Sequence, residues 1–306
     1  MSYETEYSQF VDSNEPLSSM QERDFKVYGE CGMTYTYLYA LGDPHRQDYF
    51  AIPYGEDPLQ RLDIHHLKTK HNKQRPVLFF IHGGGWTAED KSSSRFSGAL
   101  DWIKKGYTVV SINYRLAPNV IHPSQIDDCA KALKWVIDNI KDFGGNPKKI
   151  CVIGHSAGAH LAGLLVAGKK WHEKYEIDIK KVKCWIPVSG IHDLSLHENY
   201  LPPIIDTSIP TMLGDADIND CSPINHITGK EPPCLILHGA DDWLVPRTNS
   251  IKLYEKLLEK GAKKAKYIQV PGYWHFNMML GYDKEGHKTA GIINEYLAEM
   301  LPSLEE

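Results

Sequence analysis

Ser156 lies in a sequence pattern typical of a serine nucleophile. Residues 154–158 read Gly-His-Ser-Ala-Gly, which matches G-x-S-x-G, a sharp turn from a strand into a helix with the serine at its apex. The apolar run Ile150–Ile153 precedes the turn, and small residues suited to a closely packed helix follow it. The glycines keep side chains out of the strained turn. Ser156 is therefore the candidate nucleophile for an acyl-transfer reaction.

A run of three glycines supplies a second element of that chemistry. Ile81-His82-Gly83-Gly84-Gly85-Trp86 closes an apolar segment. Acyl transfer places negative charge on the former carbonyl oxygen, and preorganised backbone amides stabilise that charge. By analogy with HGGG-type loops, we assign the donors to Gly84, Gly85 and Ala157. Trp86 either forms a wall of the substrate site or packs in the interior.

A base and a carboxylate must activate the serine hydroxyl. The apolar run Cys234–His238 ends shortly before Asp241 and Asp242, and the run Tyr267–Val270 ends shortly before His275. Groups that follow parallel strands meet at one edge of a sheet. His275 is the candidate base, and one of the two aspartates is the candidate acid.

The remaining histidines near these segments are predicted to be structural. His155 points away from its neighbour Ser156 at a sharp turn, and His160 lies on the following helix. The others are His82 in the glycine loop and His238 at a strand end, whereas His287, before the last helix, is predicted to be exposed.

No metal or other cofactor is predicted. The sequence contains no H-E-x-x-H motif. The adjacent pair His65-His66 lies in a predicted strand, where neighbouring side chains point to opposite faces and cannot share an ion.

The elements around these residues alternate between apolar strands and amphipathic helices, which predicts an α/β fold with a mostly parallel central sheet and helices on both faces. Helices are predicted after Pro123, after the Ser156 turn, around 251–258 and around 292–297. The predicted strands are Leu62–Leu67, Val77–His82, Thr108–Tyr114, Ile150–Gly154, Cys184–Ser189, Cys234–His238 and Tyr267–Val270.

Two stretches do not follow this alternation. Residues 1–50 are polar and weakly periodic, and we predict an N-terminal extension there that contributes to a lid. Residues 51–306 form the predicted catalytic domain, with a lid insertion at 194–231 that is rich in Pro, Asp and Asn. Long irregular segments in compact domains commonly cover functional sites.

Composition excludes several classes of protein. A net charge of -5 disfavours a nucleic-acid or anionic-membrane partner, since both are bound by clusters of Lys and Arg. The sequence shows neither a long apolar run nor a signal-peptide pattern. The six cysteines are scattered without a CxxC pair, which predicts reduced packing residues in a cytoplasmic protein.

Several motifs in a fixed order resemble the esterase and lipase group of α/β hydrolases, over about residues 54–301. The resemblance is closest to kynurenine formamidases (arylformamidases) and to feruloyl-esterase-like carboxylesterases. In that fold the chain order is serine, acid, histidine, and the D-x-x-V-P spacing of the family selects Asp242, with Asp241 as the alternative. The motifs are HGGGW (82–86), INYRLAP (112–118), GHSAGAHLA (154–162), SGIHDL (189–194), SPINHI (222–227) and HGADDWLVP (238–246).

The leading hypothesis is a serine hydrolase that cleaves small carboxylic esters through an acyl-enzyme, with Ser156, His275 and Asp242 as its triad. Hydrolysis of N-formylkynurenine is the alternative within the same chemistry. A formyl group needs a small acyl pocket and a feruloyl group a large one, and the sequence does not reveal that volume. A non-catalytic module that binds a small ligand is the alternative from another class.

Overall fold

One twisted sheet of eight strands organises the part of the chain that the structure, a computed structural model, describes: residues 45–68, 74–95, 98–196, 203–282 and 286–303. The strand order is β1-β2-β4-β3-β5-β6-β7-β8. The β1–β2 and β2–β4 pairs are antiparallel and all other pairs are parallel. The strands are β1 Arg46–Pro53, β2 Arg61–Leu67, β3 Arg75–Ile81, β4 Thr108–Ile112, β5 Gly145–His155, β6 Val182–Val188, β7 Cys234–Gly239 and β8 Ala265–Val270.

Helices cover both faces of this sheet, as predicted. The first hydrophobic core contains side chains of α2, α3 and α7, and the second contains side chains of α1 and α8. Strands β3 and β4 are buried along their whole length between the two cores, which explains their continuous apolar sequences. The helices are α1 Ala99–Lys104, α2 Ser124–Asn139, α3 Ala157–Ala167, α4 Lys169–Lys174, α5 Pro203–Leu213, α6 Ile218–Cys221, α7 Thr248–Glu259 and α8 Lys288–Met300.

The sequence did not predict the edge strand β1. Its residues are mostly half-buried, and its pairing with β2 shifts register between Tyr49 and Ile52. Ala51 within that irregularity has φ 52°, so the period-two alternation that marks a strand is interrupted. Residues 46–50, which we had assigned to the N-terminal extension, therefore belong to the sheet. Residues 1–44 of that predicted extension lie outside the described residues.

The predicted insertion at 194–231 contains two helices, α5 and α6, together with short 3-10 turns. Its residues 197–202 lie outside the described ranges. The insertion is tied to the loop before α2, because the amide of His122 donates to Met212 O at 2.7 Å. Pro210 lies inside α5, which explains why the sequence pattern predicted no helix there.

The cysteines that the structure describes are buried free thiols, as expected for packing residues. They are Cys129, Cys151, Cys184, Cys221 and Cys234, whereas Cys31 lies outside the described residues. Of the helices in the described ranges, none combines the length and the apolar character that a membrane crossing requires.

Burial strongly lowers the pKa of five histidines in the described part of the chain. Burial lowers the pKa of His82 and His122 to about 4, and that of His155, His160 and His192 to about 3. These imidazoles are therefore neutral in the folded protein at pH 7. Neither ring nitrogen of His192 has a hydrogen-bond partner among the described residues.

We predict that the fold loses stability on acidification at pH values well above those at which carboxylates titrate. In the unfolded chain each of these histidines binds a proton near its ordinary pKa of 6.5, so below that pH the unfolded state binds more protons. The free energy of unfolding then falls as the pH drops from 6.5 towards 4, by up to about 1.4 kcal/mol per pH unit for each histidine. Urea denaturation at pH 7.5, 6.5 and 5.5 measures this slope.

The His192→Phe variant isolates one contribution, since it removes a titrating ring that makes no hydrogen bond. The pH dependence of its unfolding free energy should be shallower than that of the wild type by up to one proton. Equal stability at pH 7.5 and 5.5 would contradict the prediction.

Candidate active site

Ser156 occupies the turn between β5 and α3 in a conformation that few residues adopt. Its φ of 55° and ψ of −122° lie outside the allowed regions for ordinary residues, at a cost of about 1–3 kcal/mol. The turn is held by the Ser156 amide, which donates to Val188 O on the neighbouring strand at 2.9 Å. A side chain at either flanking glycine would overlap backbone atoms. A Cβ on Gly154 would overlap Gly158 O, and a Cβ on Gly158 would overlap Ile81 O.

The glycine loop after β3 lies beside this serine. A Cβ on Gly83 would come within 3.4 Å of Ser156 Cβ, which places the two segments in contact. Gly84 and Gly85 both have positive φ, at 80° and 57°, a conformation that glycine adopts without steric cost. The Tyr114 hydroxyl donates to Gly83 O at 2.8 Å and fixes the start of the loop.

The amides of the predicted oxyanion donors make no backbone hydrogen bond in the loops and turns that the structure describes. These are the amides of Gly84, Gly85 and Ala157. The insertion lies over this loop, since a Cβ on Gly85 would come 3.1 Å from Ser208 Oγ on α5. His82, predicted to brace the loop, stacks on Tyr114 with ring centroids 4.3 Å apart.

The Asp242 side chain is fully buried at the end of β7. Its Oδ1 accepts hydrogen bonds from the amides of Leu244 at 3.0 Å and Val245 at 2.9 Å. Burial alone would raise the pKa of this carboxyl, but hydrogen bonds from His238 and His275 hold it well below its ordinary value. Asp242 is therefore ionised at neutral pH and can only accept hydrogen bonds.

His275 follows β8, and its Nδ1 lies 2.9 Å from Asp242 Oδ2. Since the carboxylate accepts, Nδ1 carries a proton, and in the neutral ring the lone pair that a general base requires is on Nε2. The His155 ring, predicted to be structural, donates from Nε2 to His275 O at 2.9 Å. Within the described ranges, the Ser156 hydroxyl has no hydrogen-bond partner, so the Ser156–His275 bond is not formed in this structure.

The alternative acid, Asp241, lies outside this network. It is exposed, and its amide donates to Tyr273 O at 2.9 Å. The structure thus brings Asp242, rather than Asp241, to His275.

Trp86 is completely buried, so it offers no surface to a substrate in this structure. Its indole N–H donates to His160 Nδ1 at 3.2 Å, and His160 Nε2 in turn donates to Cys221 O at 2.8 Å. These two bonds connect the glycine loop through α3 to the end of α6 in the insertion. Of the two alternatives for Trp86, this environment favours packing.

Sequence reasoning missed two features of the site. His238 lies 3.3 Å from Asp242 Oδ2, although we had assigned it only a structural role. Exposed rings flank the site: Trp243 and Trp274 are parallel with centroids 6.5 Å apart, and Phe276 meets Trp274 edge to face. Their positions next to Asp242 and His275 in the sequence were the available signal.

The described residues contain no group of three or more His, Cys, Asp or Glu side chains placed to hold a metal ion.

Curated relatives of this chain are named as esterases. The protein named probable carboxylic ester hydrolase LipM, from Mycobacterium tuberculosis, is 30% identical to this chain, and the match covers 74% of this chain and 54% of the relative. Esterase LipQ of the same organism is 31% identical, and the match covers 76% of this chain and 58% of the relative. Isoprenylcysteine alpha-carbonyl methylesterase ICME of Arabidopsis thaliana is 27% identical, over 84% and 62%. The chain thus spans only about half to three fifths of these relatives' length.

Solved structures share the fold. Esterase B from Lactobacillus Rhamnosis superposes with a TM-score of 0.73 at 18% identity, covering 92% of this chain and 94% of that one. Thermogutta terrifontis esterase 2, phosphonylated by sarin, gives 0.72 at 22% identity, covering 86% and 98%. At this identity the likeness establishes the α/β-hydrolase fold alone.

The family is established by a different match. The BD-FAE family model matches residues 62–257, a segment that runs from β2 to α7 and includes Ser156 and Asp242. Because this segment is well over half of the chain, the protein belongs to the BD-FAE family of α/β-hydrolase esterases.

Proposed function

We propose that this protein is a serine hydrolase of carboxylic esters, with Ser156, His275 and Asp242 as its catalytic triad. The observation that carries the proposal is the 2.9 Å contact between His275 Nδ1 and a buried, ionised Asp242. This contact orients an unprotonated Nε2 at the edge of the sheet where the strained Ser156 turn lies. The names of the relatives, all esterases or ester hydrolases, support ester substrates.

The proposed reaction has two stages. Ser156 Oγ forms a bond to the ester carbonyl carbon while its proton moves to His275 Nε2, and the carbonyl oxygen becomes an oxyanion beside the amides of Gly84, Gly85 and Ala157. The C–O bond to the alcohol then breaks, and the alcohol leaves with the proton from His275. A water molecule releases the acyl group by the same steps.

This reaction requires a hydrogen bond between the Ser156 hydroxyl and the His275 ring, which is not formed in the present structure. Catalytic hydrogen bonds commonly tighten only when the substrate is bound. The insertion at 194–231, which contacts the glycine loop through Ser208, is the proposed lid over the site.

An exposed apolar surface beside the triad supports substrates with a flat apolar group. We define the rim cluster as Trp243, Trp274, Phe276 and Leu280, whose exposed fractions are 59%, 39%, 36% and 46%. An aromatic ring of a substrate can stack on such indole faces, and a ring pair contributes about 0.5–1.5 kcal/mol beyond its buried area.

Replacing Ser156 by Ala should abolish hydrolysis of short-chain p-nitrophenyl esters, lowering kcat/KM by about 10³-fold or more, because no other hydroxyl occupies the strained turn. The variant should also lose labelling by a fluorophosphonate probe. Ser303→Ala, near the C-terminus, is the matched control. Wild-type protein that neither reacts with the probe nor turns over esters would instead indicate a non-catalytic binding module.

Replacing Asp242 by Asn should lower kcat by about 10²–10⁴-fold, because an amide keeps the volume of the side chain but removes its charge and allows the wrong His275 tautomer. The neighbouring variant Asp241→Asn should stay within about threefold of wild type, since Asp241 is exposed and does not contact His275. Steady-state kinetics on one ester separates the two, and the reverse ranking would make Asp241 the acid.

Replacing Trp274 by Ala should raise KM for phenyl butanoate about 3- to 10-fold through lost stacking, with little change for ethyl butanoate, which has no ring. Leu258→Ala removes an equally exposed apolar side chain from α7 and should change neither substrate. Adding methyl ferulate and N-formylkynurenine to the same assay compares a large acyl group with a formyl group. Equal losses for ring-bearing and ring-free esters would show that the rim cluster does not select substrates.

A further inference from the structure

The carboxylate of Asp242 has a second histidine partner that the proposed mechanism does not use. His238 Nε2 lies 3.3 Å from Asp242 Oδ2, the same oxygen that His275 Nδ1 approaches to 2.9 Å. Both side chains, His238 and Asp242, are fully buried. One carboxylate oxygen is thus shared by two imidazoles, of which only one belongs to the triad.

The partners of His238 fix its tautomer. Its Nε2 also lies 2.9 Å from Val245 O, and a carbonyl oxygen can only accept. Nε2 therefore carries a proton and points between Val245 O and Asp242 Oδ2, while Nδ1 lies 2.7 Å from the Ser250 hydroxyl, from which it accepts in the neutral ring. His238 is thus a donor to the carboxylate.

The ring is held at both ends by rigid elements. His238 is on β7, and Ser250, also fully buried, is in the first turn of α7. The ring therefore cannot turn away from Asp242 without breaking a bond to the helix and a bond to Val245. Val245 also donates its amide to Asp242 Oδ1, so one residue contacts the first carboxylate oxygen and fixes the ring that contacts the second.

We propose that His238 is a positioning residue for catalysis, which holds the Asp242 carboxylate in the orientation that His275 requires. The proposal rests on the function proposed above. With two amides on Oδ1 and two imidazoles on Oδ2, rotation of the carboxylate breaks at least two hydrogen bonds. Without His238, Oδ2 has a single partner and the carboxylate can turn, so His275 would lose its fixed tautomer and direction.

A purely structural histidine would lower stability without affecting the chemistry. A positioning role instead lowers kcat more than it raises KM, and it changes the His275–Asp242 hydrogen bond itself. That bond can be observed directly, since the Nδ1 proton of a histidine bonded to a carboxylate gives a far-downfield proton NMR resonance.

The test compares His238→Leu, which removes the donor, with His238→Gln, whose side-chain amide can place an N–H near the position of the ring Nε2. His172→Leu is the control, because His172 on α4 also bonds to a backbone carbonyl, Leu165 O at 2.6 Å, away from Asp242. Each variant is measured for kcat and KM on ethyl butanoate, for thermal unfolding and for the downfield resonance, with His275→Gln identifying that resonance.

We expect His238→Leu to lower kcat by about 10- to 100-fold, by analogy with the loss of a hydrogen-bond partner behind a metal ligand. KM should stay within about threefold, and the resonance should shift or broaden. His238→Gln should recover kcat to within about fivefold of wild type. His172→Leu should lower only the unfolding temperature. Ser250→Ala removes the hydroxyl that contacts His238 Nδ1 but keeps the His238 ring in place, and it should give a smaller loss of kcat. This variant tests the proposal if His238→Leu does not fold.

Wild-type kcat in folded His238→Leu or in Ser250→Ala would overturn the proposal, as would a loss of kcat that Gln does not rescue and that leaves the resonance unmoved. Failure of the proposed function is a separate outcome. In that case the wild type hydrolyses no ester, while the resonance and its response to His238→Leu still report whether His238 positions the carboxylate.

Discussion

The buried charge of Asp242 is the interaction on which the geometry of the site depends. Removing a carboxylate from water costs several kcal/mol, which only a full set of donors offsets. Two of the four donors come from the turn after β7, one from β7 itself and one from the loop after β8. The adjacent parallel strands β7 and β8 bring these groups together. The same strand order that forms the core therefore also places the donors around the charge of Asp242.

Close backbone approach imposes a second constraint at the serine. Strand β5 pairs with β3, so the turn that carries Ser156 lies directly beside the glycine loop. This approach is possible only because Gly158 and Gly83 have no side chain: a Cβ on Gly158 would overlap the end of β3, and one on Gly83 would press on His155 and Ser156. The packing of two neighbouring strands thus requires glycine in both motifs.

Much of this arrangement was predictable from the sequence, and what was missed has physical causes. Strands buried on both faces need continuous apolar runs, so β3 and β4 were evident, whereas the half-buried edge strand β1 with its irregular register gave no such pattern. The helix α5 was hidden by Pro210. Strand order predicted that His275 would meet an aspartate after β7, and the resemblance to the family selected Asp242 over Asp241. The choice between packing and substrate contact for Trp86 depends on tertiary burial, which no local pattern encodes.

A comparison of Ser250 with the proposed nucleophile Ser156 shows why residue types alone do not define an active site. Ser250, His238 and Asp242 are joined by contacts of 2.7 and 3.3 Å, a more complete chain than Ser156 and His275 form here. Yet Ser250 is fully buried within a regular helix, whereas Ser156 is 6% exposed on a strained turn beside the amides of the glycine loop. A nucleophile needs a route for the substrate and donors for the oxyanion, and only Ser156 has neighbours that can supply both. Ser250 and His238 can then act on the reaction only through the carboxylate of Asp242.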